Sequence, residues 1–336
     1  MAAEQGVISY KALFDRGEFN LSVEAGFAAY QEHIERPRAA GGPKLDTRKR
    51  YERILRAFRL FLETEGIQYC EQITKKTLDM YAVHRSGSCK DSSVNLELLQ
   101  IRTFLNFLRE EKLLAAETHF RYRTKKRKKT KRRYCPLREE ARAIAQILQE
   151  DPKLRWLFYA VMMLMNTGLR LEEIAQMTSH DVNLGLGVIW VLDEEEDELS
   201  EKETKNGESR FLPITPELRP ILEKLVTSHD QRLFSGPRGG RLRSDTLNNN
   251  LRSKVLVPLQ DRFPHAKFQS ITVHCLRHFF NTYANYCEIE EADIKSWMGH
   301  GQNSMSQHYL HSDIESAREK IKKVKPLLAG DSSQSV

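Results

Sequence analysis

Residues 270–311, SITVHCLRHFFNTYANYCEIEEADIKSWMGHGQNSMSQHYLH, bring two imidazoles (His274, His300), a guanidinium (Arg277) and a phenol (Tyr309) into one short stretch. His274 and Arg277 are spaced to share one face of a helix, with Thr272 as its N-cap and Val273, Leu276 and Phe280 on its apolar side. Cationic side chains beside the free N–H groups of a helix N-terminus suit an anion, and a phosphate is the natural guest. Gly299 reads as the residue just past a helix over 291–298, which leaves His300 outside helix geometry. Ser304 reads as the cap of a further short helix carrying Tyr309. Singly, each has an ordinary explanation: a His-x-x-Arg pair is most often a surface or core pair, and most tyrosines bury a ring and satisfy a hydroxyl. A phenol of pKa about 10 needs roughly 4 kcal/mol to ionise at pH 7, so it attacks a phosphate only beside a base or in a strong positive field. The rest of the chain must supply that field.

Several stretches offer cations. In NTGLRLEEIAQM, Arg170 falls in the first turn of a predicted helix, with Glu173 three residues later and Leu171, Ile174 and Met177 toward the core. An arginine between core helices is costly unless it holds an anion; an internal Arg170–Glu173 pair is the plainer alternative. GVIWVL and SRFLPIT alternate as strands, and Asn206-Gly207 between them is a turn signal, so a small antiparallel hairpin is predicted. Its tip carries Lys205, with Lys202 as a competitor, although a lysine there is ordinarily just solvated. Arg238, Arg241 and Arg243 lead into an Asn-rich helix start and read as phosphate and groove contacts. The run RYRTKKRKKTKRRY repels itself too strongly for a structured element and reads as a linker that neutralises phosphates. It contributes Arg121, Arg123, Lys125, Lys126, Arg127, Lys128, Lys129, Lys131, Arg132 and Arg133.

The elements that must position these residues are mostly helical. Helices are predicted over 22–34, from a Thr47 cap to Gly66, from Thr74 to about Gly87, and from Ser92. The starts of the second and fourth (Arg48, Lys49, Arg50; Ser92, Ser93, Asn95) read either as the surface of an ordinary bundle or as a DNA-facing edge. Beyond the basic run, helices are predicted over 138–149, 153–165, 217–229 and 313–324. The expected fold is mainly α with a small antiparallel β-sheet. Residues 1–17 are expected to be a tail, 18–118 a helical domain, 119–135 the basic linker, 136–328 a mixed α+β domain and 329–336 a second tail. With 336 residues, 40% of them hydrophobic, the chain has room for two cores, and its net charge of +7 favours a polyanionic partner. Five scattered cysteines without a C-x-x-C pair suggest neither a disulfide framework nor a zinc site, and so a reducing compartment. Neither a signal peptide nor a membrane span is evident, and no membrane partner is expected.

TGLRLEE, a lysine in TKNG, HCLRH, MGHG and a tyrosine nine residues after that last histidine fall in order. This series resembles the tyrosine recombinase (phage integrase) family over nearly the whole chain. The resemblance implies a core-binding helical domain that clamps DNA, a catalytic domain from residue 136, and the two-domain type without an arm-binding domain. By the same resemblance, Arg170 and Arg277 grip the non-bridging oxygens of a scissile phosphate, Lys205 protonates the departing 5′ oxygen, and His274 and His300 complete the cage. Glu173 supports, and Tyr309 attacks to give a 3′-phosphotyrosine. No cofactor, metal or ATP is implied. The implied partners are double-stranded DNA with an inverted-repeat core site, further copies of the chain as a tetramer on two sites, and an accessory DNA-bending or directionality protein. The location is cytoplasmic, at the nucleoid. The segment 312–328 is the candidate for docking on a neighbouring protomer. Cys275 stands where relatives favour an acidic residue, and Tyr286-Cys287-Glu288 where they often carry a glycine. A type IB topoisomerase-like relaxing enzyme and a non-catalytic sequence-specific DNA-binding protein are the alternatives.

Overall fold

The computed structural model describes residues 20–114, 134–192, 209–227, 232–299 and 310–328. The chain divides into two units, Met1–Thr130 and Lys131–Val336, each with its own hydrophobic core. No helix among the described residues is long and apolar enough to cross a membrane. All five cysteines are free thiols.

Among its described residues the first unit packs four α-helices: α1 (Val23–Glu35), α2 (Leu45–Thr64), α3 (Lys75–Ser86) and α4 (Asp91–Glu110). Ser22 caps α1 by accepting from the Ala25 N–H at 3.2 Å. The apolar stripes meet in an aromatic centre, where Phe104 lies 4.7 Å from Phe27 and 5.4 Å from Tyr30. Burying each such ring stabilises the unit by roughly 1.5–3 kcal/mol. Two helix starts differ from the sequence expectation. Thr47 lies inside α2, whose N-cap position is Lys44, and α4 begins at Asp91, before Ser92, with an acidic residue in the first turn where the helix dipole favours it.

The second unit is built on α6 (Arg155–Thr167), flanked by α5 (Arg138–Glu150) and followed by the short α7 (Leu171–Gln176). Strands β1 (Val182–Asn183), β2 (Val188–Val191) and β3 (Arg210–Pro213) form an antiparallel sheet in the order β1-β2-β3, pairing Ile189 with Leu212 and Val191 with Arg210. The predicted hairpin is therefore present, and β1 is an edge the sequence did not announce. Next come α8 (Arg219–Val226), α9 (Ser244–Leu251), a π-helical turn over Arg252–Leu256 and α10 (Val257–Arg262). The unit closes with α11 (Val273–Tyr286), α12 (Glu291–Met298) and α13 (Leu310–Ile321). α6 is buried along nearly its whole surface, with Leu157, Val161 and Leu164 at 0–1% exposure. Glu140 pins the start of the unit, accepting from Tyr134 Oη at 2.5 Å, the Leu137 N–H at 2.9 Å and the Lys267 N–H at 3.0 Å.

Two features bear on the sequence reading. Glu288 adopts φ 61° in the loop before α12, a left-handed conformation that explains why a glycine is favoured there. In the single chain, the segment 312–328 packs on its own unit. Ile314, Ala317, Ile321, Val324 and Leu327 are all buried. Tyr283 Oη donates to the Lys325 carbonyl at 2.9 Å, and Glu217 accepts from the Leu328 N–H at 2.7 Å. The helical spacing of those apolar residues matches a core stripe of their own domain.

Candidate active site

Three arginines converge on the C-terminal end of α12. The first is delivered by a tight turn. α6 ends at Gly168, which takes φ 62°; a Cβ there would lie 2.8 Å from Phe280 Cδ1 and 3.0 Å from Met298 Cε, so only glycine fits. Two residues later Arg170 occupies the N-cap of α7, and its own N–H donates to Glu173 Oε2 at 2.8 Å. This is the carboxylate half of a capping box. The Arg170 side chain folds over the same group, with Nη1 2.9 Å from Glu173 Oε1 and Nη2 3.3 Å from the Gly299 carbonyl.

The second arginine was not anticipated. Arg210 begins β3 and is buried; its Nη2 donates to Glu173 Oε2 at 2.8 Å and its Nε to the Trp297 carbonyl at 2.9 Å. The third, Arg277 on α11, donates through Nη1 to the Gly168 carbonyl and through Nη2 to the Met298 carbonyl at 2.9 Å. Three successive carbonyls, of residues 297, 298 and 299, thus each accept from a different arginine. Carbonyls at a helix C-terminus lack intrahelical partners and carry the negative end of the dipole, so cations belong there.

The electrostatics are unbalanced. Burial pushes the Glu173 carboxyl up, but the charge and hydrogen bond of Arg210, with help from Arg170, more than reverse this and hold it below its ordinary value. Burial brings the Arg277 guanidinium down to about 10, and the neighbouring charges of Arg170 and Arg210 act in the same direction against Glu173. Arg277 remains protonated at neutral pH. Among the described residues the cluster sets three guanidiniums against one carboxylate, an excess of positive charge that suits an anion. Arg170 is the most open of the three side chains at 22% exposure, against 7% for Arg210.

Of the residues singled out in the sequence, Arg170, Glu173 and Arg277 are therefore brought together. His274 and Arg277 keep the expected helical register, yet His274 is exposed and Arg277 is 3% exposed. The His274 ring lies edge-on to His278 at 4.5 Å. The N-terminus of α11 is capped from within the protein: Thr272 Oγ1 accepts from the Cys275 N–H at 3.4 Å and Asn248 Oδ1 from the Val273 N–H at 3.3 Å. Lys205, with its competitor Lys202, and His300 and Tyr309 lie outside the described residues. A signal for Arg210 was present: in a period-two strand it is in phase with the apolar Leu212, so a charged residue occupies a core position.

The wider cationic list divides. Lys49, Arg50, Ser92 and Ser93 are exposed and Asn95 is half-buried. Arg48 is already engaged, 2.8 Å from Glu35 and 2.8 Å from Glu52. Arg238, Arg241 and Arg243 are exposed ahead of α9. The ten lysines and arginines between positions 121 and 133 lie outside the described residues.

The chain has relatives. Tyrosine recombinase XerC of Pelobacter propionicus is 23% identical over 303 residues, covering 89% of this chain and 94% of the relative. Among solved structures, the Tn1549 transposon integrase in complex with transposon right end DNA aligns with a TM-score of 0.64 at 15% identity, covering 88% of this chain and 99% of that one. A lambda integrase tetramer bound to a Holliday junction aligns with a TM-score of 0.65 at 18% identity, covering 89% and 78%. These two structures speak for the fold. The sequence profile of the N-terminal SAM-like domain of phage integrases matches residues 30–112. That of the phage integrase family matches 117–316, a span holding all three arginines and Tyr309. With more than half its length inside that second profile, the chain belongs to the phage integrase family.

Proposed function

We propose that the chain is a site-specific DNA recombinase that cleaves and rejoins DNA through a 3′-phosphotyrosine and exchanges strands between two duplexes. The observation that carries this reading is the charge surplus around Glu173. A phosphodiester carries one negative charge, and a second develops on the pentacoordinate phosphorus as an oxyanion attacks. Fixed guanidiniums match that change without reorganising, because they are always charged and present a rigid fork of donors. The same field favours ionisation of a phenol.

In this reading Arg170 and Arg277 hold the non-bridging oxygens and Tyr309 attacks phosphorus. The P–O5′ bond breaks, and the departing 5′ oxygen takes a proton from Lys205. His274 and His300 complete the cage, with His274 able to accept the phenolic proton. The phosphotyrosine conserves the bond energy, so a 5′ hydroxyl from the partner duplex rejoins the strand by the reverse attack. The partners are duplex DNA with an inverted-repeat core, three further copies of the chain, and an accessory DNA-bending or directionality protein. The site of action is the nucleoid. Crystallised relatives bound to DNA, one of them a tetramer on a Holliday junction, support this choice of partners.

The test uses nicked suicide duplexes tiled across the DNA flanking the chain's own gene. A covalent adduct with the wild-type protein, lost in Tyr309→Phe, is expected; no adduct on any duplex would overturn the reading. An adduct without exchange between two duplexes would assign strand relaxation instead. Lys205→Ala should slow cleavage about 10²–10⁴-fold and regain it on a duplex with a 5′-bridging sulfur, which leaves without a proton.

A further inference from the structure

Arg210 is a buried charge that none of the cleavage steps above uses. We propose that it is a positioning residue for cleavage, holding Arg170 and the end of α12 in the geometry that grips a phosphate; this rests on the recombinase reading. At 7% side-chain exposure it does not offer itself to a substrate. Its hydrogen bonds run to the group that holds Arg170 and to the end of α12. Nη2 holds Glu173 Oε2, the oxygen that also receives the Arg170 N–H, while Oε1 of the same carboxylate receives Arg170 Nη1. With one oxygen fixed by Arg210, the carboxylate cannot rotate without releasing Arg170. Nε holds the Trp297 carbonyl, and the next turn of chain lies against the guanidinium. A Cβ on Gly299, which takes φ 68°, would come within 3.0–3.2 Å of Arg210 Cζ, Nη1 and Nε. The Gly299 carbonyl is in turn an acceptor for Arg170 Nη2.

The plain alternative is a structural ion pair between β3 and α7. The geometry favours positioning because one planar fork spans a carboxylate and a backbone carbonyl that both reach Arg170's own partners. A lysine keeps the charge but, with its compact ammonium on a flexible stem, cannot hold that fork. In sequence, Arg210 lies five residues after Lys205, and Gly299 directly precedes His300. The same side chain therefore ties together the strand leaving the lysine segment and the turn leading to the histidine.

The test compares Arg210→Lys and Arg210→Met in wild-type and Arg170→Lys backgrounds, on the nicked duplex at which the wild-type protein forms its adduct. Melting temperature, duplex affinity by mobility shift and single-turnover cleavage are measured together. Arg210→Lys is expected to melt within a few degrees of wild type, bind within about threefold and cleave about 10²-fold more slowly, the scale of a 1 Å misplacement. In the Arg170→Lys background the same change should slow cleavage by less than about threefold, because both substitutions release one unit. Cleavage by Arg210→Lys within threefold of wild type would overturn the proposal. So would a full further loss in the Arg170→Lys background, or losses in both variants that track the unfolded fraction. Failure of the wild-type protein to form any adduct would remove the recombinase reading and this role with it; a wild-type adduct with indifferent Arg210 variants would remove this role alone.

Discussion

Each unit of the molecule sets a carboxylate against arginine, and the two clusters differ in their balance. In the first, Glu97 on α4 receives Arg85 of α3 through Nε at 2.8 Å and Nη2 at 2.7 Å, and Tyr81 Oη at 2.9 Å. One guanidinium meets one carboxylate, and the third partner is a neutral phenol. In the second, Glu173 and three neighbouring carbonyls meet Arg170, Arg210 and Arg277. The first arrangement closes on itself and locks two helices. The second, among the described residues, sets three guanidiniums against one carboxylate and so suits an anion. Tyr81 makes the contrast chemical: burial, then the hydrogen bond and charge of Glu97, raise its pKa above that of an ordinary phenol. A tyrosine meant to attack phosphorus needs the opposite surroundings, a field of guanidiniums.

The sharpest way to break this comparison is to remove a guanidinium from the unbalanced cluster. Arg277→Met should lower single-turnover cleavage about 10³-fold while the protein melts within a few degrees of wild type. The loss of the Gly168 and Met298 contacts is offset there by relief of a buried charge. In the balanced cluster the outcome reverses. Glu97→Gln should destabilise the protein to urea by about 2 kcal/mol, less than a fully buried pair because Arg85 retains 23% side-chain exposure. Cleavage per folded molecule should be unchanged.

A pH titration sharpens the comparison further. Burial raises both carboxyls, but Arg85 and Tyr81 at Glu97, and Arg210 and Arg170 at Glu173, hold each below the ordinary value of 4.5. Between the folded value and 4.5 the unfolded chain binds the extra proton, so this stabilisation is complete above pH 4.5 and disappears as pH falls through the folded values. Glu97→Gln and Glu173→Gln should each flatten the acid limb of melting temperature against pH; an unchanged limb would mean the arginines do not hold these carboxylates. The smallest effect is expected at Arg48. With Glu35 and Glu52 already on it, Arg48→Ala should leave the salt slope of DNA binding unchanged, whereas Lys49→Ala or Arg50→Ala should each reduce it by about 1.

Much of the second cluster was legible before the fold was known, because local rules govern its parts. A glycine past a helix end, an arginine at a helix start with a glutamate three residues on, and a threonine cap before His-x-x-Arg are short-range patterns. They put Arg277 in its helix and Glu173 in the first turn of α7, with Arg170 one position earlier than expected, at the N-cap. Arg210 escaped because its partners are set by tertiary approach: Glu173 and Trp297 lie 37 and 87 residues away in sequence. Arg48 looked available for the same reason, since its pairing with Glu35 depends on how α1 packs beside α2. The segment 312–328 was assigned to a neighbour by resemblance, and in the single chain its apolar residues are buried in their own unit.

The most direct measurement is the single-turnover cleavage rate of Arg170→Lys beside Arg85→Lys, on one nicked duplex and normalised to folded protein. If the fixed guanidinium forks of this cluster perform the chemistry, Arg170→Lys, which keeps the charge but not the fork, falls by about 10²-fold or more while Arg85→Lys stays within about threefold of wild type. Equal losses in the two, or an Arg170→Lys variant that cleaves like wild type, would contradict it.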